Sequence, residues 1–222
     1  MTPTRRRPAR RWALALAAVL GCAACSTGTS APSSPAEPPD PSATGTGPAV
    51  QFTSAIEADG QQLHVHYRLV NESAGNLVVL NRAASPSDGG FDDPNAVYVT
   101  GRGSGGQVEV SKRAFAMPDT EKKSWANPAR VGGTLVPRGG AAEESFTVSL
   151  PLRRYHPYGD DYGDGPVALP DPVTGVRFCL GVLPGNAVDP AGPTPGVGPV
   201  TLPHLGSTTR VQHLFCSAQT DL

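Results

Sequence analysis

No stretch of the 222-residue chain is apolar for the twenty or so residues that a membrane-spanning helix requires; the run Trp12–Leu20 ends after nine. Methionine is confined to Met1 and Met117, which leaves no methionine cluster of the kind exported copper carriers add. Aromatic residues make up 6% and charged residues 17%. No Gly-x-Ser-x-Gly elbow and no His-Glu-x-x-His pair occurs, which removes two common routes to nucleophilic and zinc-assisted hydrolysis. The neighbouring carboxylates Glu143 and Glu144 sit in an alternating stretch, so they face opposite ways and cannot work on one substrate atom. No amphipathic helix of useful length is present, and only a short helical turn near 119–126 suggests itself. The expectation is a protein that is not an enzyme and carries no cofactor.

Basic residues are also scarcer than the formal net charge of −1 implies. Five of the 18 lysines and arginines (Arg5, Arg6, Arg7, Arg10 and Arg11) lie in the first eleven residues, which hold no acid. Without that segment 13 basic residues face 19 acidic ones. Such a domain has no electrostatic footprint for nucleic acid and no polybasic patch for a membrane surface.

The chain is rich in glycine (26) and proline (24), which suits short strands joined by many turns. Its N-terminus has a basic start, a short apolar middle and small residues at the end, the layout of a secretory signal peptide. Val19-Leu20-Gly21-Cys22 resembles the lipobox of bacterial lipoproteins, with Cys22 as the residue to be lipidated. Cys25 is the alternative, but it lacks an aliphatic residue three positions before it. Arg10-Arg11-Trp12-Ala13-Leu14 resembles a twin-arginine export signal, so the export route stays open. The resemblance implies a signal peptide over 1–21 and a protein held by a two-chain lipid on the outer face of the cell membrane; a released soluble protein is the alternative. Residues 26–48 are Ser, Thr, Pro, Gly and Ala with two acids, and the segment 22–48 is expected to form a disordered tether.

From Ala49 the pattern changes to period two. Leu63, Val65, Tyr67 and Leu69 alternate with Gln62, His64, His66 and Arg68, the signature of a half-buried strand. Leu77–Leu80 reads as a more buried strand, and the turn Asn71–Asn76 suggests that the two form a hairpin. Further strands are expected at 97–99, 108–110, 134–136, 145–152, 176–182 and 208–217. Together they indicate an all-β fold, an antiparallel β-sandwich over 49–218 with insertions at 153–175 and 184–204. Val70-Asn71-Glu72-Ser73 after strand 61–70, and Leu135-Val136-Pro137-Arg138-Gly139-Gly140 before strand 145–152, resemble immunoglobulin-like domains of bacterial lipoproteins. More faintly they resemble the bacterial intracellular proteinase inhibitor domain. The second resemblance implies inhibition of secreted proteases, although no reactive-loop motif is present.

Cys179 and Cys216 lie in late strands. In an exported protein such an even pair favours a disulfide, with free thiols for metal or catalysis as the alternative. His64 and His66 share one strand face and would ligate a metal if a third group arrived from a neighbouring strand; Arg68 on that face works against a cation. Asp160, Asp161 and Asp164 on a glycine-rich loop are candidate calcium ligands, without the terminal Glu of an EF-hand. Arg153, Arg154, Tyr155, Tyr158 and Tyr162 make a candidate binding surface, since arginine and tyrosine are favoured at contacts. Gly101–Gly106 lacks the Gly-Lys-Ser/Thr ending of a phosphate loop and reads as a hairpin turn. His204 and His213 read as structural or surface residues. The leading functional expectation is a membrane-anchored interaction module of the cell envelope with a protein partner. Alternatives are a metal- or small-ligand-binding lipoprotein and a protease inhibitor.

Overall fold

The computed structural model describes residues 35, 37–38, 40–102, 105–187 and 199–222. The signal peptide, Cys22 and Cys25 lie outside the described residues. The strands are β1 (Val50–Ala58), β2 (Gln62–Asn71), β3 (Leu77–Arg82), β4 (Tyr98–Gly101), β5 (Gln107–Lys112), β6 (Arg130–Val136), β7 (Ala141–Ser149), β8 (Gly175–Pro184), β9 (Pro199–Pro203), β10 (His213–Cys216) and β11 (Thr220–Asp221). One short helix, α1 (Gly206–Thr209), precedes β10.

The chain folds as an all-β sandwich. The smaller sheet is antiparallel, in the order β1-β2-β7. The larger is built around β8. One edge of β8 pairs in parallel with β5 over its first half and antiparallel with β3 over its second. β4 extends this sheet beyond β5, and β6 and then β9 extend it beyond β3. β10 and β11 pair antiparallel with the other edge of β8.

Alternation places Leu63, Val65, Tyr67 and Leu69 of β2 and Phe146 of β7 against Val108, Val110, Phe178, Leu180 and Val182 of the larger sheet. Tyr67 stacks on Phe178 with ring centroids 5.3 Å apart. The larger sheet is also buried on its second face, where Val78, Leu80, Tyr98, Phe115, Val131 and Leu183 form another core. Loops cover that face: Tyr158, Tyr162 and Val167 from the 153–175 insertion pack with Trp125. The segment around 119–126, expected to make a helical turn, is irregular. Its aromatic anchor Trp125 is held by tertiary packing, edge-on to Tyr158.

The expected hairpin between 62–70 and 77–80 does not form. β2 belongs to the smaller sheet and β3 to the larger, so Asn71–Asn76 is an arch between layers. The reason lies in the apolarity of Leu77–Leu80 on both sides, which only a strand covered on both faces satisfies. Residues 137–140 form a second arch, from β6 to β7. The glycine-rich turn at 101–106 does join a hairpin, β4 to β5. Gly106 has φ +76°, and a Cβ there would lie 2.8 Å from the Pro172 carbonyl oxygen, so a side chain is excluded twice over. The expected strand 208–217 is reduced to β10, with α1 before it. The proline-rich insertion contributes β9, an edge strand with proline at both ends, where no ladder donor is lost.

Cys179 and Cys216 are directly opposed in the β8/β10 register and form a disulfide. They lie on the outer side of β8, away from Phe178 and Leu180, and the free-thiol alternative is set aside.

Candidate functional site

Among the described residues no three His, Cys, Asp or Glu side chains group as metal ligands. His64 and His66 share the exposed face of the smaller sheet, as their spacing requires. Each turns to a different neighbour, His64 Nε2 to Asp59 Oδ2 at 2.9 Å and His66 Nδ1 to Ser145 Oγ at 3.0 Å. The His64 contact and two backbone N–H donors hold the Asp59 carboxyl down at about 2. Arg68 on the same face pairs with Glu143 at 3.1 Å. Glu144, one residue on, points inward to Lys112 at 2.9 Å, so the two carboxylates do lie on opposite faces.

The acids of the 153–175 loop do not converge either. Asp161 Oδ1 accepts from the backbone N–H groups of Gly163 and Gly165, Asp164 pairs with Lys122, and Asp160 is exposed. This is the bonding of a loop that stabilises its own turns.

The proposed tyrosine surface is corrected by burial. Tyr158 and Tyr162 are buried, Tyr155 is half-buried, and of the five candidates only Arg153 is exposed. The apolar second face of the larger sheet draws the rings inward, because leaving both uncovered would expose a large aromatic area. Tyr155 stacks on Tyr98 at 5.4 Å. His204, at the centre of this core, is fully buried. Its Nδ1 accepts from the Phe115 N–H at 2.9 Å, so Nε2 carries the proton and donates to Tyr98 Oη at 2.9 Å. Burial first, then Arg113, pushes its pKa down to about 3. His156 packs edge-on to Phe115 at 4.5 Å; burial, then Arg154, Arg113 and His204, pushes it down to about 2. Both imidazoles are neutral structural groups. His213 is half-buried on β10 beside Gly47.

The residues that build a site are ones the sequence analysis did not single out, apart from Arg154. The described residues from Pro35 to Pro48 lie along the domain, although a disordered tether was expected through residue 48. They form a strap whose two acids are both gripped. Glu37 takes a two-pronged contact from Arg154, Nε to Oε1 at 2.8 Å and Nη2 to Oε2 at 2.7 Å, and a third bond from the Gly101 N–H at 3.2 Å. Asp40 takes Arg113 Nη1 on Oδ2 at 2.7 Å and the Ala116 N–H on Oδ1 at 2.6 Å. Downstream, the Ala43 N–H donates to the Gln212 carbonyl. Charge pairing supplies what the apolar-poor strap lacks in buried area, and this overturns the entropy argument for its last dozen residues.

The two arginines are held by the domain itself. The Arg154 side chain, 6% exposed beneath the strap, also donates to the Gly159 carbonyl and to Tyr162 Oη. Arg113 lies over the Phe115 ring at 3.8 Å and bonds Glu109 Oε1 at 2.8 Å. Glu109, 3% exposed, is shared with Arg102 and Arg177. The only advance signal was that Glu37 and Asp40 are the sole acids of the linker; their arginine partners lie 117 and 73 residues away.

The chain matches no protein-family model, no curated protein and no solved structure.

Proposed function

We propose that this chain is an exported, lipid-anchored interaction module of the cell envelope, without catalytic activity of its own. The observation that carries the reading is the seat of the strap. The polar groups built into the outer surface of the sandwich grip an extended peptide segment, and they are not arranged around a reacting atom. The lipobox-like Val19-Leu20-Gly21-Cys22 supplies the address. A lipid on Cys22 leaves about thirteen residues before Pro35, a reach of at most about 45 Å, so the sandwich works close to the membrane.

Two measurements test this. Mass spectrometry of the mature N-terminus is expected to find a diacylated Cys22; an unmodified terminus beyond Cys25 would remove the anchor. Crosslinking in intact cells is expected to recover the same envelope protein repeatedly, and repeated recovery of none would remove the interaction role.

A further inference from the structure

We propose that the Arg113/Arg154 groove is a receptor for acidic, proline-bearing extended peptides, occupied in this chain by its own strap. This deepens the interaction reading and rests on it.

Each strap carboxylate meets the same pair of donors, one guanidinium and one backbone N–H: Arg154 with Gly101 for Glu37, Arg113 with Ala116 for Asp40. Two such receptors in a row select two carboxylates three residues apart on a chain that cannot coil, which Glu37-Pro38-Pro39-Asp40 provides. The receptors do not need the strap to exist. Arg154 is aimed by Gly159 and Tyr162, and Arg113 by Phe115 and Glu109, all groups of the sandwich. A site pre-organised in this way is ready for any segment that brings the same charges.

The fit beneath the strap is loose. On one side a cavity of about 370 Å³ separates Pro38 and Pro41 from Arg102, His156 and Gln212. On the other, about 500 Å³ lies between the strap and Met117, Tyr162 and Arg210. His156, 4% exposed, lines the first cavity. The strap is therefore held chiefly by its two carboxylates, with the Ala43 N–H bond to the Gln212 carbonyl beside them, which is the arrangement of an exchangeable occupant. Tethering gives it an effective concentration in the millimolar range, so in the resting chain it outcompetes a dilute partner. Displacing it frees the groove and lengthens the spacer between Cys22 and the sandwich in one step.

The test uses the purified full chain and a fluorescent synthetic peptide spanning residues 33–44. The Glu37→Gln/Asp40→Asn chain is expected to bind this peptide at least ten-fold more tightly than the wild-type chain does. Adding Arg154→Gln to that variant, or using a peptide with the same two amide replacements, is expected to abolish binding. No binding by the released variant, with its melting temperature preserved, would overturn the groove; equal binding by wild type and variant would overturn its occupation in cis. A readout without any substitution is the isotope-labelled wild-type chain with millimolar unlabelled peptide, where the amide resonances of the strap residues Glu37 and Asp40 are expected to shift as the strap is displaced. Unmoved resonances would count against the proposal. A purified chain needs neither lipid nor envelope, so failure here removes the groove and leaves cell crosslinking to judge the module.

Discussion

Asn71 and Gly140 tie the two arches of the sandwich together: the Asn71 N–H donates to the Gly140 carbonyl at 2.9 Å. The Asn71 carbonyl in turn accepts from the Gly139 N–H at 2.8 Å. The Asn71 side chain completes the joint, with Nδ2 donating to the carbonyls of Val136 and Gly75 and Oδ1 accepting from Ser73. Asn71→Ala leaves the buried Val136 carbonyl and the solvent-accessible Gly75 carbonyl each with one donor fewer, at a cost of about 2 kcal/mol, most of it from Val136. For a domain of this size that is a fall in Tm of roughly 4–8 °C. Asn71→Asp is expected to cost more, since a carboxylate there faces two carbonyl oxygens. Thermal melts followed by circular dichroism decide the order; an Asp variant as stable as wild type would show that the corner is not closed by this side chain.

The disulfide joins strands already paired, so it pins β10 and the C-terminal segment to β8 after a loop of 37 residues. Cys216→Ser is expected to lower stability by about 2–4 kcal/mol while leaving the sandwich folded, because the two cores lie mainly in β2–β8. Denaturant titration of the variant against the oxidised wild-type chain measures this. A change below about 0.5 kcal/mol would mean that β8 and β10 hold their register without the bond.

The alternation at Leu63, Val65, Tyr67 and Leu69 was legible in the sequence because a half-buried strand writes its burial pattern residue by residue. The pairing of β2 and β3 was not. A turn of six residues serves a hairpin or an arch equally well, and the choice depends on whether a second sheet exists to receive Leu77–Leu80. The tyrosine loop misled for a related reason. Arg154, Tyr158 and Tyr162 have the composition of a contact surface, and only the uncovered face of the larger sheet decides that they turn inward. The strap was read from its own composition, which has little to bury; its partners Arg113 and Arg154 lie far along the chain and give no local sign of the pairing.

Lys112 is 1% exposed in the core between the sheets. Burial pulls its pKa down while Glu144 opposes that shift. Its Nζ donates to Glu144 Oε2 and to the Pro94 carbonyl, both at 2.9 Å, and Glu144 Oε1 accepts from Asn81 at 2.7 Å. Lys112→Met strands the Glu144 charge and is expected to cost about 3 kcal/mol, whereas the Lys112→Met/Glu144→Gln double variant is expected to recover more than half of that. A double-mutant cycle in urea measures the coupling; additive losses would show that the two charges are stabilised separately.

His156 and His204 make the sandwich sensitive to mild acid. Both are held neutral, at about 2 and about 3, chiefly by burial and next by arginines (Arg154 and Arg113 beside His156, Arg113 beside His204). The unfolded chain binds their protons near pH 6.5 and the folded one does not, so stability is complete above pH 6.5 and falls as pH drops from there toward 3. At pH 5 the loss is about 2 kcal/mol for each histidine. The carboxylate Asp59, held at about 2, adds its own loss only below about pH 4, so the window from 6.5 to 4.5 reports the histidines. His156→Gln is expected to flatten the slope of unfolding free energy against pH in that window by about half, as judged by urea titrations from pH 7.5 to 4.5. His204→Gln is expected to flatten it similarly, at a larger fixed cost, because the Phe115 N–H and Tyr98 Oη lose their shared partner. A slope unchanged in both variants would place the acid sensitivity elsewhere in the sandwich.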